Sequence, residues 1–274
     1  CMYIGDGGAI VAAKSLENIP PQFLPTAKCF KGTKKPDEKD PWVTSPDKVT
    51  LDGSSRKMTV STPIGRAEVR WVREVETLFG RTPEKAVKDA LSTVSKAIKS
   101  GRFPITIEPS SFEWKIVFMD EKVPESEIPM QLVTNCHPAW MTPPANIYVV
   151  AQRVVAGCGG RAMDPSKADQ QLTTILIHEF GHVIEYLMLL NKGGNDRIRA
   201  EGFATWFESY AGKYSSIVSG EEIRSSQINQ LKYILQHIDP NRPFMGTHED
   251  YLLASLPFHA VFREKQTKGI VALY

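Results

Sequence analysis

The run from Ile175 to Leu190 constrains this chain more than any other stretch. It is apolar enough to lie inside a protein, yet His178, Glu179, His182 and Glu185 interrupt it. It falls short of the roughly 18 apolar residues of a membrane span, so it reads as a buried helix. On a helix, positions i and i+4 share a face, and His178 and His182 can direct both imidazoles at one point. Two histidines and a glutamate in apolar surroundings are costly unless they are paired or hold a metal ion. The fold therefore has to bury this helix and give its polar face something to bind.

His178-Glu179-Phe180-Gly181-His182 is an HExxH motif. The histidines read as two metal ligands and Glu179 as a general base beside the ion. Zinc lowers the pKa of water to about 7 and polarises a carbonyl, and a neighbouring carboxylate can take the proton and return it to a leaving amine. The segment after His182 does not continue as HExxHxxGxxH. Instead Arg199-Ala200-Glu201-Gly202-Phe203-Ala204 follows, with eighteen residues between His182 and Glu201. Those residues contain a helix end, the Gly193-Gly194 turn and the start of another helix. A helical hairpin of that length can return Glu201 to the first helix. Two histidines, a glutamate and an open fourth position form the pattern of a catalytic zinc site.

This motif set resembles the gluzincin peptidases. It is similar to the catalytic domains of the alanyl- and leucyl-type zinc aminopeptidases and to small stand-alone gluzincin domains. The resemblance covers residues 172 to 210, about a seventh of the chain. It implies an α+β, zincin-like (thermolysin-like) fold, zinc as cofactor, and His178, His182 and Glu201 as ligands. It further implies that Glu208, seven positions after Glu201, orients a ligand histidine, and that a Tyr or His on the last helix stabilises an oxyanion. Tyr251 is the first candidate for that role, with His248 and His259 behind it. His137 reads as a loop residue and His237 as a helix-end residue. No GxMEN-type segment precedes His178, and its glutamate is what grips a free amine in the aminopeptidases. The implied reaction is zinc-dependent hydrolysis of peptide bonds in protein or peptide substrates, by endopeptidase rather than aminopeptidase action. Asn146 to Gln152 is expected to be an edge strand to which an extended substrate can pair. The alternative is a non-catalytic or narrowly specific binding or processing protein on the same fold. The intact Glu179 weighs against a purely structural metal.

Elsewhere the sequence is less specific. The net charge is +2, and the densest basic stretch, Lys28 to Lys39, also contains Asp37 and Glu38. That reads as a solvated loop and argues against nucleic acid as a partner. The four cysteines are Cys1, Cys29, Cys136 and Cys158. Proximity along the chain favours the disulfides Cys136–Cys158 and Cys1–Cys29. Cys1 in first position also resembles the lipidated cysteine of a bacterial lipoprotein, a role that excludes the second pairing. Both readings point to a secreted, periplasmic or lipid-anchored protein.

Residues 1–62 are rich in Pro, Lys, Asp, Gly and Ser and read as an irregular, partly β extension. Residues 63–274 read as the catalytic domain. A hairpin is expected across Asp52-Gly53-Ser54-Ser55, between 49–51 and Lys57 to Ser61. The spacing of Val69, Val72, Val75 and Leu78 predicts a helix over 66–80. Thr82-Pro83 starts a second helix that Gly101 ends. Strands are expected at 105–108, 113–119 and 146–152, and helices at 164–190, 197–214, 221–238 and 248–268.

Overall fold

The computed structural model describes residues 2–4, 10–12, 20–22, 55–119, 137–157, 163–189, 196–237 and 243–274. All four cysteines and the expected strand 49–51 lie outside these residues. The chain is mixed α and β and divides into two compact units, 1–88 with 104–171 and 89–103 with 172–274.

The first unit is built on strands. β1 (Met2–Ile4), β2 (Ile10–Ala12) and β5 (Ile105–Ile107) form a small sheet. β3 (Ser55–Thr62), β4 (Gly65–Val72), β6 (Glu113–Met119), β7 (Ala139–Thr142) and β8 (Asn146–Val150) form a second, ordered β3-β4-β6-β8-β7. Its central strands β4, β6 and β8 are parallel, and the two outer strands run antiparallel to their neighbours. The register aligns Val69 with Ile116 and Ile116 with Ile147, and all three are fully buried. In β6 and β8 the runs Ile116–Met119 and Ile147–Val150 are buried on both faces, as central parallel strands are. The Trp114 indole donates to the Ile64 carbonyl at 2.8 Å, which ties the β3–β4 turn to β6.

Three expectations change here. Residues 66–80 are not a helix but β4 followed by a short 3-10 turn, Arg73–Thr77. Ala67, Val69 and Trp71 alternate with Arg66, Glu68 and Arg70, so period two wins over the i+3 spacing of the valines. The hairpin strand 55–62 pairs forward with β4 through Pro63 and Ile64. Thr62 holds that turn, its hydroxyl donating to the Gly65 carbonyl at 2.6 Å. The boundary read at residue 62 thus falls inside a hairpin. The strand at 146–152 stops at Val150, where α2 (Ala151–Ala156) begins. It is also an inner strand, paired with β6 on one side and β7 on the other, so it has no edge for an extended peptide.

Helices dominate the second unit. α1 (Pro83–Gly101) and α3 (Pro165–Leu189) contribute from Asp89 and Leu172 onward, joined by α4 (Arg197–Gly212), α5 (Gly220–His237) and α6 (His248–Val271). These match the expected helices to within three residues at each end. Asp196 caps α4 by accepting from the Ile198 and Arg199 amides. Thr247 and Asp250 form a reciprocal capping box that starts α6. The unit's centre is aromatic. Phe203 stacks on Phe207 and meets Phe103 and Phe258 edge-on, while Trp206 stacks on Tyr210. No described helix is long and apolar enough to cross a membrane.

Candidate metal centre

The polar face of α3 is where the second unit departs from an apolar core. α3 presents His178 and His182 one turn apart, and their Nε2 atoms lie 3.2 Å from each other. α4 brings Glu201 to the same point, with Oε2 3.4 Å from each Nε2. The approach of α4 depends on small residues. A side chain on Gly181 would meet the Ala204 Cα at 3.1 Å, so α3 and α4 pack nearly backbone to backbone beside the histidines. Next to Glu201, a side chain on Gly202 would run into the Ala254 carbonyl of α6.

Three donor atoms thus form a near-equilateral triangle. Tetrahedral zinc with bonds of about 2.0–2.1 Å needs ligand atoms about 3.3–3.4 Å apart. The observed edges of 3.2, 3.4 and 3.4 Å match that spacing. The donor chemistry fits as well. The Glu208 carboxylate lies 2.7 Å from His178 Nδ1 and can only accept, so Nδ1 carries the proton. In neutral His178 the Nε2 lone pair then faces the triangle, the arrangement of a histidine ligand held by a carboxylate.

The site attracts positive charge. Burial pulls the His178 imidazole down, but the hydrogen-bonded Glu201 and Glu208 outweigh it and hold the group well above its ordinary value. Burial pushes the Glu201 carboxyl up, and the two histidines override it and hold the group far below the carboxylate range. Glu179 behaves differently. Burial raises its carboxyl, and the histidines offset this only in part. The residue is 5% exposed, and its Oε2 has no hydrogen-bond partner among the described residues. A buried carboxylate oxygen without a partner is open to accept a proton.

Tyr251 stands in the first turn of α6, fixed by the capping box, with its ring 6.3 Å from the His178 ring. Burial and then Glu201 push its hydroxyl up, against a hydrogen bond from Arg197. It stays protonated at any physiological pH. His248 and His259 do not join the cluster. His248 lies 3.0 Å from the Gln230 amide oxygen on the surface. His259 is lowered to about 4 by burial and then by Arg224. His237 caps its own helix through the Tyr233 carbonyl, and His137 offers its backbone oxygen to Arg153.

Two neighbours were not expected from the sequence. Arg197, one turn before Glu201, lies 3.8 Å from Glu201 Oε1 and over the Phe244 ring. Gln227 of α5 donates to Glu208 Oε2 at 3.0 Å. Arg197 carries a readable signal, since i and i+4 on a helix are neighbours. Gln227 carries none, because only the tertiary fold brings α5 to α4.

No family model matches the chain, and no curated protein matches it.

Proposed function

We propose that this chain is a zinc-dependent peptidase of the gluzincin kind, on a zincin-like fold, acting as an endopeptidase on protein or peptide substrates. The observation that carries the reading is Glu201, which closes a zinc-sized triangle over the two HExxH histidines from a different helix. Two imidazoles and one carboxylate suit zinc better than calcium or magnesium, which take oxygen donors.

His178, His182 and Glu201 would hold the ion, and Glu208 would orient His178. Bound zinc would supply Lewis acidity, acidifying water and polarising a carbonyl. Glu179 would take a proton from the attacking water at Oε2 and pass it to the leaving amine, serving first as general base and then as general acid. Tyr251, kept protonated by burial, can donate its hydroxyl hydrogen to the developing oxyanion.

The test is zinc content and cleavage of a peptide library, measured on the wild type, His182→Ala and Glu179→Gln. The expected result is about one zinc per chain, lost in His182→Ala and kept in Glu179→Gln, with cleavage absent from both variants. A folded, zinc-supplemented wild type that holds no metal overturns the reading. Zinc without cleavage of any substrate moves it to a binding protein.

A further inference from the structure

α5 presents a buried stripe of Gly220, Gln227, Leu231 and Ile234 toward the rest of the second unit. Gln227 is the one polar side chain in it, 4% exposed. A glutamine in an apolar stripe costs stability unless its amide is used. Here both amide hydrogens are used on α4. Nε2 donates to the Thr205 carbonyl at 2.7 Å and to Glu208 Oε2 at 3.0 Å. Thr205 and Glu208 are three residues apart and so share a face of α4. The backbone bond fixes the amide, and the amide then fixes the carboxylate.

The orientation of the amide follows from its partners. Turned over, it would set Oε1 against a carbonyl and a carboxylate, both acceptors. Oε1 itself has no partner among the described residues, so the NH2 group alone accounts for this residue's polar contacts. Glu208 is thereby gripped at both oxygens, Oε2 by Gln227 and Oε1 by His178 Nδ1. A carboxylate pinned at one oxygen cannot rotate the other away.

We infer that Gln227 is a positioning residue for the metal centre, acting through Glu208 to hold His178 with its Nε2 toward the ion. The inference rests on the reading of His178, His182 and Glu201 as a zinc site. It adds a third layer to that site, from a helix that supplies no ligand.

The experiment is a double-mutant cycle read as zinc affinity, by chelator competition on the full chain. Gln227→Met keeps the volume and removes the donors. It is expected to weaken zinc binding by about 10–100-fold, the usual cost of losing an outer partner of a metal ligand. In a Glu208→Ala background the same change is expected to alter affinity less than about twofold, because residues acting in one chain of contacts are not additive. Cobalt substituted for zinc gives a second readout. Its visible spectrum should change in Gln227→Met and not change further in the double variant. If Gln227→Met does not fold, Gln227→Asn keeps the amide but draws it back by one methylene, and the same pattern is expected. Equal losses in both backgrounds would mean that Gln227 serves the fold alone, and no loss in either would mean that it serves nothing at the metal. Both outcomes overturn the inference and leave the peptidase reading standing. A wild type that binds no zinc removes both.

Discussion

The two compact units bury their polar residues very differently. Among the described residues, the strand-built unit buries only Thr62 and Thr142 besides its apolar core. The helical unit buries Glu179, Glu185, Gln227 and Asp250, along with several hydroxyls. Hydrophobic transfer explains most of the first interior, although Trp140 Nε1 and Thr142 Oγ1 are buried there without a partner among the described residues. It explains the second only in part, because each buried carboxylate needs a local partner or a use. Asp250 has its capping box, and Glu185 has Arg199, 3.2 Å away. Gln227 and Glu208 have each other. Glu179 is left, with an Oε2 that has no hydrogen-bond partner among the described residues.

The sharpest way to break that comparison is Glu179→Gln. Cleavage should fall by about 10²–10⁴-fold, the usual contribution of a general base, with zinc retained. Stability should not fall, because the amide keeps the shape of the side chain. Loss of stability together with activity would mean that Glu179 is structural.

In the strand-built unit the largest effect should come from Phe118→Ala, which deletes a fully buried side chain from β6. A cost of about 3–5 kcal/mol is expected in urea unfolding, with zinc stoichiometry unchanged in the folded fraction.

A smaller effect separates the units by pH. His178 is raised from 6.5, so its contribution is full below that value and is lost as pH rises through the folded one. Glu201 is lowered from 4.5, so its contribution is full above that value and is lost as pH falls through the folded one. Ionising Glu179 costs stability as pH climbs past 4.5, since its folded value is raised. With metal chelated, the cluster should therefore stabilise most between about 4.5 and 6.5. Zinc competes with the proton on His178, so the gain from adding it should grow as pH rises above that window. Thermal midpoints from pH 4 to 9, with chelator and with zinc, would show both trends. Phe118→Ala should lower such a curve without changing its shape.

The smallest effect belongs to the surface. Lys57 and Glu68 pair at 2.7 Å across β3 and β4, with the lysine 61% exposed. Lys57→Ala should cost no more than about 0.5 kcal/mol.

Much of the helical unit was legible because its signals are local. Pro83 and Gly101 bracket α1, and the HExxH spacing needs nothing beyond one helix to make sense. Glu201 was legible too, since its distance along the chain fits a hairpin. Residues 66–80 misled because four valine and leucine positions at i+3 spacing fit a helix, while the alternation from Ala67 to Trp71 fits a strand. The pairing of β4 between β3 and β6 decided for the strand. Residues 146–152 read as a strand, but nothing local revealed that β7 would cover its far side. Gln227 was invisible for the same reason, a polar residue among others until the fold gives it Glu208.

Gly202 has one further consequence. It follows Glu201 directly, and it faces Ala254, one turn beyond Tyr251. The space between α4 and α6 at that level is set by an absence, since any side chain would act as a shim. Even Gly202→Ala would lever α6 outward and carry Tyr251 away from His178, though no atom of the cluster had been changed. The reach of the tyrosine is thus gauged by a residue with no side chain of its own, much as the thickness of a washer sets the play in a joint.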